Sequence, residues 1–377
     1  MMSVYLNAID RKLNAAVIVR SAKMRPSPSR AYHYEQRMRL WHSALLLYAF
    51  VPSWSGAPRA READPRIGFS IEPVALFPEA PQRKRLGALR FLRGYRLISA
   101  DADFGGFSAM TTDGARFTLL TDGGQGIGFT LSRDGQLTDG RTFRLPAGPG
   151  TGWQKRDRDS EAMTIDPTTG RLWVAFENNN QIWRYAPGFF RAEAMSAPPM
   201  MAIWANNNGA ESMMRLRDGR FVVLNEGGSW PGQSGSAGLI FAGDPTRAKQ
   251  ASLRFSYLAP TGFDPTDSAE LPDGRWIIVN RRFDLRHGFT ACLTIADPRA
   301  LKSGAKLQGH EIARFSAPAL HDNFEGIAVV KHRGATHIWL ASDDNALRPW
   351  QQSLLLEFRL DEAKPRPRRI VKPQAAG

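Results

Sequence analysis

The sequence predicts an all-β fold, a β-propeller of five or six blades whose ring is closed by N- and C-terminal strands. Three observations predict it. A strand–turn–strand phrase occurs five times, and each copy joins two apolar runs through a Gly-containing turn, as a hairpin does. The copies recur at intervals of 53, 50, 56 and 58 residues when Ser108, Glu161, Glu211, Asp267 and Glu325 are aligned, and a period of this size marks a solenoid, a propeller or an array. The composition, with 34 Gly and 25 Pro in 377 residues, suits a turn-rich chain without long helices.

The elements follow in order. A strand is expected at 69–76 and another at 95–99. The first hairpin pairs 107–111 with 113–120 and is followed by a strand at 129–132. The second, 160–166 with 170–175, is followed by 181–185; the third, 210–215 with 218–224, by 239–242 and 253–257. The fourth pairs 267–272 with 273–279 and is followed by 289–295 and 311–315. The fifth pairs 324–329 with 337–340, and the last strand, 353–360, is expected to close the ring beside 69–76, since closure leaves few bare edges. The interval from Glu325 round through Leu360 and back in at Ile67 is long enough to hold a sixth blade. Trp173, Trp183, Trp204, Trp276 and Trp339 fall in strands and read as blade core.

Residues 1–37 show no repeat and read as an upstream extension. Met38-Arg39, the apolar stretch 40–51 and the small residues to Ala57 have the order of a secretory signal, with cleavage near Ala57 or Ala60. A buried N-terminal helix is the other reading. The propeller domain is expected over 67–360 and a basic tail over 361–377. No apolar run reaches the length of a membrane span, and the destination is periplasmic or secreted. The net charge of +14 is mostly terminal: +7 lies in 1–66, +4 in 359–377 and only +3 between. That distribution argues against nucleic-acid binding, which needs a basic stripe on the folded domain. Cys292 is the only cysteine, so neither an internal disulfide nor a Cys-based zinc site can form. The domain is expected to act as a monomer.

The place of the acid within the repeat carries the functional reading. It stands where each first strand starts, and polar clusters end each second strand: Thr121-Asp122-Gly123, Glu177-Asn178-Asn179, Asn225-Glu226, Asn280-Arg281-Arg282 and Ser342-Asp343-Asp344-Asn345. Both ends of a hairpin lie together, so all five sets converge on one mouth of the channel if the first strands are innermost. Crowded carboxylates need a cation, a bound proton or basic partners. The alternative is that acids and Asn decorate surface turns.

The phrases Phe104-Gly105-Gly106-Phe107-Ser108, Thr121-Asp122-Gly123-Gly124, Arg158-Asp159-Ser160-Glu161-Ala162, Asn208-Gly209-Ala210-Glu211-Ser212, Asp267-Ser268-Ala269-Glu270-Leu271-Pro272-Asp273-Gly274, Arg281-Arg282-Phe283 and Asp322-Asn323-Phe324-Glu325-Gly326 resemble the family described as esterase-like activity of phytase, over about residues 70–358. The resemblance implies an exported β-propeller with a phosphoesterase-like activity. Ser108 departs from the pattern, since the other copies have an acid there, as does Asp122-Gly123-Gly124, where a basic residue is usual.

Phosphate-ester hydrolysis on this scaffold calls for a cation to bind substrate oxygens and activate water. Ca²⁺ takes oxygen ligands, and Asp159, Glu161, Glu211, Asp267, Glu325 and Asp343 are the expected set. Arg158, Arg281, Arg282 and Asn208 are the expected contacts to a small-molecule ester or phosphate ester. His321, with Glu161 and Glu211, is the candidate for acid–base work; a lone His beside a turn also serves as a surface hydrogen-bonder. Gly232-Gln233-Ser234-Gly235-Ser236 lacks the last Gly of a nucleophile elbow, and Gly124-Gln125-Gly126-Ile127-Gly128 lacks a dinucleotide spacing. The competing function is a non-catalytic periplasmic propeller that binds a metal, glycan or protein partner.

Overall fold

The computed structural model describes residues 68–101, 104–152, 155–205, 209–248, 250–345 and 351–361. The expected signal segment at 38–57, Asn208 and all but the first residue of the basic tail lie outside the described residues.

The chain enters through β1 (Phe69–Pro73), β2 (Arg85–Leu86) and β3 (Leu89–Ser99). Blade one is β4 (Phe107–Thr112), β5 (Arg116–Thr121), β6 (Gln125–Leu131) and β7 (Leu137–Arg144). Blade two is β8 (Ser160–Ile165), β9 (Leu172–Phe176), β10 (Gln181–Tyr185) and β11 (Ala192–Ser196). Blade three is β12 (Ala210–Arg215), β13 (Phe221–Asn225), β14 (Ser236–Phe241) and β15 (Ser252–Leu258). Blade four begins with β16 (Asp264–Glu270), β17 (Trp276–Asp284) and β18 (Gly288–Ala296). The chain then lends β19 (Ala305–Gln308) to blade three, parallel to β15, and returns to finish blade four with β20 (His310–Phe315). Blade five is β21 (Asn323–His332), β22 (Ala335–Asp343) and β23 (Leu354–Leu360), continued by β3 and then β1. The first strands β4, β8, β12, β16 and β21 touch in cyclic order, which closes a ring of five.

Two expectations are thereby settled. There is no sixth blade among the described residues; the long interval is filled by outer strands of blade five. The closing partner of β23 is β3, not the 69–76 segment, and β1 lies one strand further out. β3 was legible only in its second half, because Arg90, Arg93 and Arg96 interrupt its apolar pattern.

Side chains that alternate along each strand enter two different gaps. Val223 packs toward blade two and Val222 and Leu224 toward blade four, while Ile277 and Val279 face blade five and Ile278 faces blade three. Five apolar clusters result, one between each pair of neighbouring blades. Burial of each large side chain contributes about 1.5–3 kcal/mol, and because every blade is covered on both faces its middle strands read as unbroken apolar runs. Trp173, Trp276 and Trp339 lie in strands and are buried in these gaps as expected; Trp183 is in a strand but half-buried, and Trp204 is buried from the loop between β11 and β12, not from a strand.

The repeated Asp-Gly turns serve geometry. Asp218 accepts from the Arg220 backbone N–H at 3.0 Å and pairs with its guanidinium at 2.7 Å, and Gly219 takes the φ of +91° that the tight turn requires. Asp113 and Asp273 make the same bonds to Arg116 and Arg275. These turns lie at the far end of each hairpin from the repeated acid.

Candidate functional site

The innermost strands share a defect. In each, one residue is left out of the ladder between the first and second strands: Ser108, Glu161, Glu211, Thr266 and Glu325. Such a bulge re-aims the extra side chain and ends regular pairing. The bulge is the structural identity of the repeated acid, and it corrects one position. Thr266, not Asp267, stands at the bulge of blade four. A one-residue slip turns a side chain to the other face. The Asp267 carboxylate accepts from the backbone N–H groups of Ser268 and Ile327, both at 2.8 Å, and so ties blade four to blade five. The two bulges without an acid are bridges as well. Ser108 Oγ donates to the Ser160 carbonyl at 2.6 Å, and Thr266 Oγ1 donates to the Phe324 carbonyl at 3.0 Å.

Three bulge acids therefore share one mouth, with the polar ends of the second strands around them. The carboxylates of Asp159, Glu161 and Glu177 offer oxygens that all lie within 4.8 Å of one another. Burial, and then Glu211, Asp159, Asp122 and Glu325, raise the Glu161 carboxyl well above its ordinary range. Burial, Glu226 and Glu177 do the same to Glu211, with Arg281 opposing. Burial and then Asp159 push Glu177 up to about 7. Burial, Glu325 and Asp122 raise Asp343. Glu211 is only 6% exposed, and neither it nor Glu161 has a hydrogen-bond or ion-pair partner among the described residues.

The positive charge in this mouth is Arg281. Its guanidinium bonds Glu226 at 2.8 Å, Asn323 at 2.7 Å and the Glu325 carboxylate, so one side chain of blade four spans blades three and five. Burial works against its charge, but Glu325, Glu226 and Glu211 hold it firmly protonated. The same pairing pulls Glu325 back toward its ordinary range, although burial still leaves it raised.

The other expected residues are distributed as follows. Asp343 is buried at the mouth and accepts from the Asn345 N–H at 2.7 Å. Asp344 accepts from the Gly106 N–H at 3.0 Å; a Cβ on Gly105 would meet its carboxylate at 2.4 Å, which is why Phe104-Gly105-Gly106-Phe107 needs its first glycine. Arg158 bonds the Pro149 and Asp157 carbonyls and holds the 148–152 loop, so it is not aimed at the acids. Arg282 projects to the opposite face of β17 from Arg281 and lies over the Phe263 ring at 4.9 Å. His321 donates its Nδ1–H to the Ala319 carbonyl at 2.8 Å, which leaves Nε2 as the acceptor of the neutral ring. Ser234 is an exposed loop residue that accepts from Lys306 at 3.0 Å, which does not make a nucleophile elbow. Sequence reasoning missed Asp264, which stands opposite Arg281 in the ladder and is raised by burial and Glu226. The signal was present in the Asp264-Pro265-Thr266 run, read one residue out of register.

Five blades, antiparallel except for the added β19, around an acidic mouth define the chain as a β-propeller with a polar channel entrance. The family model described as phytase-like, esterase-like activity of phytase, matches residues 102–346, and the chain belongs to that family. Among solved structures, hydrazine synthase of Kuenenia stuttgartiensis is similar at 13% identity and a TM-score of 0.33, over 66% of this chain and 59% of that one. A structural-genomics protein of unknown function from Bacteroides thetaiotaomicron is similar at 15% identity and a TM-score of 0.40, over 72% and 66%. A structural-genomics protein assigned to the gluconolactonases is similar at 11% identity and a TM-score of 0.38, over 80% and 93%. The matched part of this chain thus spans about three fifths of the hydrazine synthase chain and two thirds of the Bacteroides protein. No curated protein matches the sequence.

Proposed function

We propose that this phytase-like propeller is an exported hydrolase of phosphate esters or related esters that works with a divalent cation, Ca²⁺ first among them, at the acidic mouth. The observation that carries the reading is the Asp159–Glu161–Glu177 trio, whose oxygens lie within 4.8 Å of one another. An all-oxygen donor set suits a hard cation. Glu211, buried beside the trio without a hydrogen-bonding partner, adds a further oxygen ligand or a proton acceptor. A bound cation would polarise the ester and lower the pKa of an attacking water.

The chain's own residues divide the remaining work. Arg281, already bonded to Glu226, Asn323 and Glu325, has one Nη2 hydrogen left and offers the anionic part of the ester a fixed positive charge, not a paired grip. Glu211 takes a proton from water, its carboxyl raised by burial and then by Glu226, which makes it a stronger base. His321, with Nε2 open, stands at the rim for proton exchange with the leaving group.

Metal analysis of the purified chain, with a phosphomonoester and phosphodiester panel in Ca²⁺ and in chelator, tests the reading. Ca²⁺-dependent turnover lost in Glu161→Gln and Glu211→Gln is expected. Absence of any Ca²⁺-induced rise in Tm would sink it.

A second reading has one observation in its favour. Arg281 neutralises Glu226 and Glu325 from within, as a binding hub without chemistry would. It calls for a metal, glycan or protein partner, and gains if the cation binds but no ester turns over. Export rests on residues 38–57, and a mature N-terminus found by sequencing within 1–50 would contradict it.

A further inference from the structure

The end of the propeller opposite the acidic mouth carries a second charged feature, of opposite sign. Blade five sets three arginines side by side. Arg85 of β2 stands directly across from Arg90 of β3, and Arg90 directly across from Arg359 of β23. His337 of β22 is next in the row. Cross-strand partners share a face and lie about 4.5–5.5 Å apart, and like charges so placed destabilise a sheet. Two acids of the described residues touch the row: Asp361 meets Arg85 at 2.6 Å and Arg359 at 2.9 Å, and Glu357 meets His337 at 2.7 Å. Arg90 and Arg333 have no hydrogen-bond or ion-pair partner among the described residues.

Arg85, Arg333 and Arg359 line an open cleft of about 800 Å³, with Thr336 and Asp361 in its wall. Arg333 enters it from the β21–β22 turn, held by a backbone φ of +48°. The cleft and the mouth are well separated. β21 starts at the mouth with Asn323 and runs ten residues to His332 beside the cleft, a span of ~30 Å. That exceeds the screening distance of about 8 Å at physiological salt, so the acids of the mouth do not cancel the field here.

We propose that this cleft is a binding site for a soluble, multiply charged phosphate-bearing anion. Guanidinium groups grip phosphate oxygens through paired N–H bonds. Three of them, from three separate chain segments, line one open concavity in which Asp361 is the acid among the described lining residues, and the cleft is net positive. A repulsive row is stabilised by a counter-anion more than by solvent. The concavity and the lack of apolar anchors favour a soluble ligand over a membrane: the exposed large apolar residues of the described chain, Leu92, Phe190, Met195, Ile203, Phe283 and Leu285, do not line the cleft.

The test is thermal unfolding of the full chain in chelator, with inorganic tripolyphosphate as the probe. A rise in Tm of ~2 °C or more is expected, shrinking at high salt. Arg85→Gln/Arg333→Gln should lose it, while Glu211→Gln at the mouth keeps it. Arg333→Asn is the second variant, since Asn accepts a positive φ and leaves the fold intact; it should lose part of the rise. Arg90→Gln should melt higher than the wild type without any probe, because it breaks the repulsive row. No rise in the wild type, an undiminished rise in the arginine variants, or a lower Tm for Arg90→Gln overturns the proposal. Co-sedimentation with phosphatidylglycerol vesicles, lost in the arginine variants and unmatched by any response to tripolyphosphate, overturns it in favour of a lipid surface.

Discussion

Ser108 and Thr266 occupy the same bulge in blades one and four, and each donates its hydroxyl to the carbonyl that precedes the next blade's bulge acid, Ser160 in one case and Phe324 in the other. The ring thus uses two solutions at one position. Glu161, Glu211 and Glu325 turn a carboxylate to the mouth, while a hydroxyl stitches neighbouring blades where no acid is present. Removing either hydroxyl leaves a buried carbonyl short of a partner. Ser108→Ala and Thr266→Val should each lose about 1–2 kcal/mol in urea unfolding, and an unchanged midpoint would mean the bridges contribute nothing.

Asp267 and Glu211 separate the two kinds of buried acid. Asp267→Asn keeps one acceptor oxygen but turns the other into an NH2, so one of the bonds from the Ser268 and Ile327 N–H groups is lost and Tm should fall. The Ca²⁺-induced rise in Tm should survive in that variant and vanish in Glu211→Gln. Loss of the rise in Asp267→Asn would return that residue to the ligand set.

The mouth sets a pH dependence with a definite sign. The Glu177 carboxyl is raised from 4.5 to about 7, first by burial and then by Asp159. Below 4.5 both folded and unfolded states hold its proton, and its contribution is fully present. Between 4.5 and about 7 the folded state alone keeps the proton, so stability falls as pH rises. Glu161, Glu211 and Asp343 shift in the same direction. In chelator, Tm should decline across that window and the decline should flatten in Glu177→Gln. Ca²⁺ should remove most of it, because a cation prefers the deprotonated acids.

Arg281→Gln leaves Glu226 and Glu325 facing each other without a counter-charge. The pair is only part-buried, so breaking it should cost less than the about 3–5 kcal/mol of a fully buried one. Denaturant midpoints should drop most at pH 7 and least at pH 5, where the acids can take protons. An equal drop at both would mean that packing, rather than charge, is what Arg281 supplies.

Cys292, paired across the ladder with Asn280, tests the core between blades three and four. Burial pushes its thiol up to about 12, so it should stay unreactive to thiol reagents at pH 8 until the chain unfolds. Rapid labelling of the folded protein would show that this gap opens.

The fold was legible because covering each blade on both faces imposes unbroken apolar strands, and Ile277-Ile278-Val279 and Val222-Val223-Leu224 can be read without a structure. Outer strands face water and lose that signal: β7, with Thr138, Asp139, Gly140 and Arg141, and β11, with Glu193, were not distinguishable from loops. The mouth was legible through repetition of its acids. Asp267 was misplaced because a bulge adds one residue without leaving a mark, and Ser268-Ala269 imitates the Glu-Ala step of the second blade. The roles of Arg158 and Arg282 could not be separated from that of Arg281 by type, since only strand parity decides which of two adjacent arginines turns inward.

The fifth blade draws β3 from one end of the domain and β21 to β23 from the other. A growing chain can therefore finish blades one to four and still have an open ring, because Arg90 and Leu97 wait for partners that leave the ribosome some 260 residues later, at Ser353 and Arg359. A product that stops before Ser353 lacks β23, the strand that joins β22 to β3. Its inner strands can still meet, since β21 and β22 touch β4 directly, but β3 and β1 are left without the sheet they belong to and the two ends of the chain are not locked together.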